Sequence, residues 1–178
     1  MLQRARVLGQ AFVDLGLSPE RPIAILSDND LEHLSIMMGA MWAGVPFVSV
    51  SSAYSLISSD FGKLRHILGT ITPGLVYASD ARFARAIQTV VAADATVVLG
   101  DGAEGSIEGR ATRSFAELLA TAPGAGIDAA HAAITPHTIL KFLFTSGSTK
   151  TPKGVITTHR MLCANQQMLH QCMAFLAD

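Results

Sequence analysis

Short apolar runs alternate with longer stretches of mixed polarity along this chain. Apolar residues at every third or fourth position predict an amphipathic helix over 2–15. The run 23–26, Ile-Ala-Ile-Leu, has no polar alternation and predicts a strand buried on both faces. The remaining strands are predicted over 45–50, 74–78, 96–99 and 138–144, and the remaining helices over 31–43, 60–68, 80–92, 115–120 and 159–177.

The repeated strand–helix–strand order predicts an α/β fold, with a mostly parallel sheet flanked by helices. Ligands of such sheets bind outside the carboxyl ends of the strands. Two stretches fall outside this order. Glycines predict a surface loop over 100–112, and Ala, Gly and Pro predict a surface linker over 121–136.

Composition excludes several classes of protein. The 178 residues are 49% hydrophobic and 15% charged, which excludes a mainly disordered chain. Thirteen Lys and Arg against 14 Asp and Glu give a net charge of −1, and no basic run indicates a nucleic-acid partner. Cys163 and Cys172 match no disulfide framework or zinc pattern and indicate buried or free thiols of a reduced, cytoplasmic protein.

Mean hydropathy is +0.37, high enough to raise the question of a membrane span. The longest uncharged stretch, 33–59, is broken by Gly44 and Pro46. The part before the break is too short to cross a bilayer as a helix. It therefore predicts a buried helix followed by a buried strand, and no membrane span.

The segment 144–154 is the most informative one for chemistry. After Phe144 it reads Thr-Ser-Gly-Ser-Thr-Lys-Thr-Pro-Lys-Gly, with five hydroxyls, two glycines and two lysines in ten positions. Small residues let backbone N–H groups approach a polyphosphate, and lysines neutralise its charge. A hydroxyl can also reach the Mg²⁺ that accompanies a nucleotide. The alternative is a polar surface turn between two strands.

Two common phosphate motifs are excluded here. Counted from Gly147, the second glycine of a Walker A loop would fall on Pro152, and no Gly-x-Gly-x-x-Gly is present. The order Thr-Ser-Gly-Ser-Thr-x-x-Pro-Lys-Gly-Val at 145–155 instead resembles the phosphate-binding signature of the adenylate-forming enzymes. These include acyl-CoA synthetases, luciferases and the adenylation domains of peptide synthetases. Segments 21–26 and 42–50 are similar to the same family, so the resemblance covers nearly the whole chain.

Segments 52–55, 60–66 and 158–168 resemble feruloyl-CoA synthases, which activate hydroxycinnamic acids. Lys150 stands where most members of the wider family carry Gly, and this departure supports the narrower resemblance. The resemblance implies ATP, Mg²⁺, CoA and an aromatic carboxylic acid as cofactors and substrates, and formation of an acyl-adenylate followed by a CoA thioester. It implies no catalytic residue in this chain.

The resemblance also implies a set of nucleotide-binding residues. Residues of this loop are expected to wrap the β- and γ-phosphates of ATP. The predicted nucleotide-binding residues are Thr145, Ser146, Gly147, Ser148, Thr149, Lys150, Lys153 and Gly154. Lys153 would pair with the phosphates, and Thr145 would also touch Mg²⁺. The family's adenine, ribose and carboxylate motifs are expected beyond Asp178.

We therefore expect part of the large N-terminal domain of an adenylate-forming enzyme. Its divisions would be an α/β subdomain over 1–136, a strand and phosphate loop over 138–155, and a truncated helix over 159–177. The chain alone is expected to be inactive and to expose apolar surface. The alternatives to a ligase fragment are a non-catalytic nucleotide-binding module and an inert truncated product. The loop does not separate these three, since each would keep Lys153.

Other polar residues have structural interpretations. The six scattered histidines show no metal-ligand spacing. The turn at 28–30 is interpreted as a helix cap, and His159 as a cap or core contact with ligand contact as the alternative. Four residues are interpreted as the core face of the last helix: Met161, Leu162, Met168 and Leu169.

Overall fold

The computed structural model describes residues 1–100, 107–145, 151–173 and 175. The helices are α1 (Leu2–Asp14), α2 (Leu31–Ala43), α3 (Ala53–Leu56), α4 (Gly62–Ile71), α5 (Ala84–Val90), α6 (Phe115–Leu119), α7 (Ala125–Ala132) and α8 (His159–Cys172). The strands are β1 (Ile23–Leu26), β2 (Phe47–Ser49), β3 (Leu75–Ala78), β4 (Thr96–Leu99), β5 (Thr112–Ser114), β6 (Ile139–Thr145) and β7 (Lys153–Thr158).

Within the described residues, the strands form one seven-stranded sheet in the order β5-β4-β3-β1-β2-β6-β7. Neighbouring strands run parallel from β5 to β6, and β6 pairs antiparallel with β7. This confirms the predicted α/β class and the mostly parallel sheet. The antiparallel hairpin places the start of β7 at the carboxyl end of β6.

Helices cover both faces of the sheet. Alternate residues of β1 point to opposite faces, so Ala24 and Leu26 enter one core cluster and Ile23 and Ile25 enter the other. Helices α4 and α5 fill the first cluster, whereas α1, α2, α6 and α7 contribute to the second. Burial on both faces explains why the central strands are continuously apolar.

Caps define the ends of two helices. The Asp30 carboxylate accepts a hydrogen bond from the His33 amide at 2.6 Å, which confirms the interpretation of this turn as a cap. Gly44 ends α2 in the left-handed conformation with φ 68°, which a residue without Cβ adopts easily. Ser114 and Glu117 form a capping box at the start of α6, which lies within the helix predicted over 115–120.

The predicted surface linker over 121–136 is wrong, because it contains α7. Ile127 of this helix is fully buried and packs on Gly9. The Gln10 side-chain oxygen accepts hydrogen bonds from the amides of Gly124 and Ile127 at 3.0 and 3.1 Å. An Ala-rich sequence with one large apolar residue gives little periodicity, so the helix is selected by its contact with α1.

Other element boundaries also differ from the predictions. The helix predicted over 80–92 begins as a 3₁₀ turn at Ala81–Phe83 and continues as α5. Strand β5 begins at the last residue of the loop predicted over 100–112 and continues to Ser114. The short α3 forms between the strand predicted over 45–50 and the helix predicted over 60–68, where no helix is predicted. Residues 101–106 of the predicted loop lie outside the described residues.

The apolar face of α8 is exposed rather than packed in a core. Met161 and Met168 are 56% and 58% exposed, and no described residue of α8 is buried. Leu143, Val155 and Ile156 of the adjacent hairpin are exposed as well. The expected apolar surface is therefore present, whereas the expected burial of Met161 and Met168 is not observed in this chain.

Candidate functional site

Thr145 and Lys153 meet at the carboxyl edge of the sheet. Thr145 is the last residue of β6 and Lys153 is the first residue of β7, and the two are directly paired across the hairpin. Directly opposed residues of an antiparallel pair have Cβ atoms about 4.5–5.5 Å apart. The residues predicted between them, Ser146, Gly147, Ser148, Thr149 and Lys150, lie outside the described residues.

Both side chains of this pair are open to solvent. Among the residues that the structure describes, Lys153 forms no ion pair. A lysine ammonium and a threonine hydroxyl are therefore placed side by side at the edge where α/β proteins bind ligands. The polar surface turn considered as the alternative would lie over 146–150, between β6 and β7, and these residues lie outside the described residues.

Gly154 has a packing role at this hairpin. It pairs with Phe144, and a Cβ at Gly154 would lie 3.3 Å from Cζ of the Phe144 ring. The Phe144 ring is partly buried and packs against the core cluster that α4 and α5 fill, so it can move little to make space for a Cβ. Glycine is explained by this contact, and its predicted role in nucleotide binding stays a prediction.

His33 ties the carboxyl ends of β1 and β2 together. Its ring is 8% exposed, with Nδ1 2.9 Å from the Ser27 hydroxyl and Nε2 2.8 Å from the Ser49 hydroxyl. Both ring nitrogens are thus used within the fold. In the sequence, His33 is one of six scattered histidines without metal-ligand spacing, and no local pattern indicates its contact to Ser49.

Asp80 and Arg82 form a charged pair at the end of β3. The Asp80 carboxylate accepts hydrogen bonds from the Arg82 backbone amide and guanidinium, each at 2.9 Å. The Arg82 side chain is the main reason that the pKa of Asp80 falls from 3.8 to about 2. Arg82 also reaches Asp28 at 3.5 Å.

We expect this pair to make stability depend on acid pH. Because the folded pKa of Asp80 is depressed, its contribution is complete above pH 3.8 and is lost as the pH falls towards about 2. Asp80→Asn should lower the free energy of unfolding at pH 7 by about 1 kcal/mol, allowing for solvent screening. Urea unfolding of both proteins from pH 7 to pH 2 tests this. An unchanged difference between them over that range would contradict it.

His159 begins α8, but it is not the cap. The Thr158 hydroxyl caps the helix by accepting from the Met161 amide at 3.4 Å. His159 is half-buried, and its Nε2 has no hydrogen-bond partner among the described residues. Burial lowers the pKa of His159, and the neighbouring His131 lowers it further. The cap role therefore belongs to Thr158 rather than His159, and core contact and ligand contact remain the two interpretations of the half-buried ring.

Cys163 and Cys172 are exposed free thiols. In the described ranges, no three His, Cys, Asp or Glu residues cluster in a way that could hold a metal ion. In the same ranges, no helix has the length and apolar character needed to cross a bilayer.

The sequence matches the model of a known protein family over almost its whole length. The model described as AMP-binding enzyme matches residues 1–177. The chain belongs to the AMP-binding enzyme family. The match confirms the resemblance at the level of the family, and the matched residues include the segment 145–155.

Three proteins illustrate this membership. The chain is 30% identical to 3-methylmercaptopropionyl-CoA ligase of Ruegeria pomeroyi over an alignment of 163 positions, which covers 88% of this chain and 28% of that protein. It is 25% identical to HC-toxin synthetase of Cochliobolus carbonum over 158 residues, covering 89% of this chain and 3% of the synthetase. A putative long-chain-fatty-acid CoA ligase of Rhodopseudomonas palustris has the same fold, with a TM-score of 0.77 and 17% sequence identity. The superposition covers 96% of this chain and 40% of that protein.

The chain therefore spans less than half the length of each of these three proteins. The fold is the one expected for the N-terminal domain of adenylate-forming enzymes. Of the predicted nucleotide-binding residues, the structure describes Thr145, Lys153 and Gly154 and brings them together at one hairpin end.

Proposed function

We propose that this chain belongs to an ATP-dependent carboxylic acid–CoA ligase and that its segment 145–154 binds the β- and γ-phosphates of ATP. The pairing of Thr145 with Lys153 at the carboxyl edge carries the proposal. That edge is where parallel sheets bind ligands, and the ammonium there has no acidic partner among the described residues. The match to the AMP-binding family over residues 1–177 supports the same assignment.

The proposed reaction has two steps. An oxygen of the acid attacks the α-phosphorus of ATP, and the bond from that phosphorus to the bridging oxygen breaks, releasing pyrophosphate. The CoA sulfur then attacks the acyl carbon, gives up its proton and displaces AMP. Lys153 stabilises the negative charge that the leaving pyrophosphate gains. Mg²⁺ supplies further charge neutralisation, and the Thr145 hydroxyl is an oxygen ligand of the kind it prefers.

We propose ferulate or a related hydroxycinnamate as the acid. The support is the resemblance of segments 52–55, 60–66 and 158–168 to feruloyl-CoA synthases, together with Lys150. The relative from Ruegeria pomeroyi is named for a different acid, 3-methylmercaptopropionate. A panel of ferulate, 3-methylmercaptopropionate and a long-chain fatty acid therefore separates the possibilities. We also propose a cytoplasmic location, where exposed free thiols such as Cys163 stay reduced.

Two measurements test the proposal. The first is binding of Mg·ATP to the 178-residue chain by calorimetry, where measurable affinity is expected. The second is acid-dependent exchange of pyrophosphate into ATP, measured on this chain and on the polypeptide purified from its source cells.

We expect exchange with ferulate from the source polypeptide and none from the 178-residue chain. ATP binding without exchange by the source polypeptide would favour a non-catalytic nucleotide-binding module. Absence of both would favour an inert product. Exchange with another acid alone would overturn the proposed substrate.

A further inference from the structure

A histidine far away in sequence holds the backbone beside Lys153. Nε2 of His66, on α4, lies 3.0 Å from the carbonyl oxygen of Pro152. The carbonyl can only accept, so Nε2 carries the hydrogen and donates it. The two residues are 86 positions apart, and the bond joins α4 to the segment that leads into β7.

Pro152 has few other means of being held in place. It lacks a backbone N–H, and it precedes the last ladder pair, Thr145 with Lys153. Its ring is buried, whereas Thr151 and Lys153 on either side are exposed. Burial of the ring and the bond from His66 therefore fix the chain one residue before the proposed phosphate-binding lysine.

Helix α4, which carries His66, is packed on the core. Its opposite face places Leu64, Ile67 and Leu68 in the core cluster. Phe142 and Phe144 of β6 pack against the same cluster. Both strands of the hairpin are thereby attached to the same core cluster. Strand β6 contacts it through Phe142 and Phe144, and the residue before β7 is bonded to His66 of α4.

We propose that His66 is a positioning residue for the nucleotide, acting through the Pro152 carbonyl to orient Lys153. The inference rests on the proposed function of segment 145–154. A site that is ordered before the ligand arrives loses less conformational entropy on binding. Removing the His66 bond would keep the positive charge of Lys153 but leave its ammonium less well ordered. The affinity for the nucleotide would therefore fall although no charge is lost.

The test compares three variants with the unmodified chain. His66→Leu removes the donor, and His66→Gln places an amide N–H near the position of Nε2. His137→Leu is the control, since His137 is exposed and lies in the turn before β6. Circular dichroism establishes that each variant is folded.

The first measurement needs no nucleotide. Trypsin cleavage of the Lys153–Gly154 bond, followed by mass spectrometry, should be about three- to tenfold faster in His66→Leu, as expected for loss of one hydrogen bond. His66→Gln and His137→Leu should be cleaved at the original rate. The second measurement is the Kd for Mg·ATP, which should rise about three- to tenfold in His66→Leu alone.

Each outcome decides a separate step. Unchanged cleavage in His66→Leu would overturn the anchor. Faster cleavage with an unchanged Kd would overturn the role in nucleotide binding. If His66→Leu and His66→Gln weakened Mg·ATP binding equally while His66→Gln was still cleaved at the original rate, the imidazole would touch the nucleotide directly. That result would overturn the positioning role. No binding by the unmodified chain would overturn the proposed function and this role, while cleavage still decides the anchor.

Discussion

Replacing Lys153 with methionine is expected to weaken binding of Mg·ATP by about 10- to 100-fold, the value of one hydrogen bond between charged groups. The ammonium is exposed at the hairpin end, and no described carboxylate neutralises it. Its charge is thus free to act on a triphosphate. Methionine keeps an unbranched side chain of similar length, so the packing of β7 is preserved. Calorimetric titration with Mg·ATP measures the change in Kd.

The matched control is Lys63→Met on α4. Lys63 is also an exposed lysine, but its ammonium lies over the Tyr54 ring, 5.1 Å from the ring centre. The two variants change the net charge equally, so general electrostatic attraction would weaken binding equally. We expect the Kd of Lys63→Met to change by less than about twofold, as for most surface substitutions. Equal affinities of the Lys153 variant and the unmodified chain would remove Lys153 from the phosphate site.

The central strands could be predicted from sequence because burial on both faces leaves a direct mark. Strands β1 and β4 fall at the predicted positions 23–26 and 96–99. Helix α2 has the predicted bounds because Asp30 caps its start and Gly44 ends it. In each case the deciding interaction lies within a few residues of the boundary.

Elements selected by distant contacts could not be predicted. Helix α7 depends on Gln10 and Gly9 of α1, more than a hundred residues earlier. Strand β5 is three residues long with no apolar residue, and only its pairing with β4 defines it. A local pattern contains neither partner.

The same division applies to the site. The residue order at 145–155 indicates a phosphate loop, but it gives no register for the hairpin that pairs Thr145 with Lys153. The contact from His66 to Pro152 has no local signal, since exposed polar residues of a helix are normally solvated. Motif reading therefore finds the groups that would touch the ligand and misses the groups that hold them.

A methyl group added at Gly39 should destabilise the fold more than any other change considered above. Gly39 is buried where α2 crosses α1, and a Cβ there would lie 2.7 Å from the Leu8 Cβ and 3.1 Å from the Phe12 ring. The Leu8 Cβ is fixed to the helix backbone, so the two helices must separate. Overpacking of this kind costs about 1–3 kcal/mol, and the better helix propensity of alanine returns at most about 1 kcal/mol. We expect Gly39→Ala to lower the free energy of unfolding by about 2 kcal/mol.

Gly69→Ala supplies the control with the opposite sign. Gly69 is exposed within α4, and a Cβ there would meet no atom within 4 Å. Only the helix propensity and the reduced entropy of the unfolded chain change, so stability should rise by about 0.5–1 kcal/mol. Urea unfolding at equal m-values measures both variants. If both substitutions stabilised the chain, α1 and α2 would not be in close contact at Gly39. Opposite signs from the same chemical change would localise the cost to the crossing of α1 and α2.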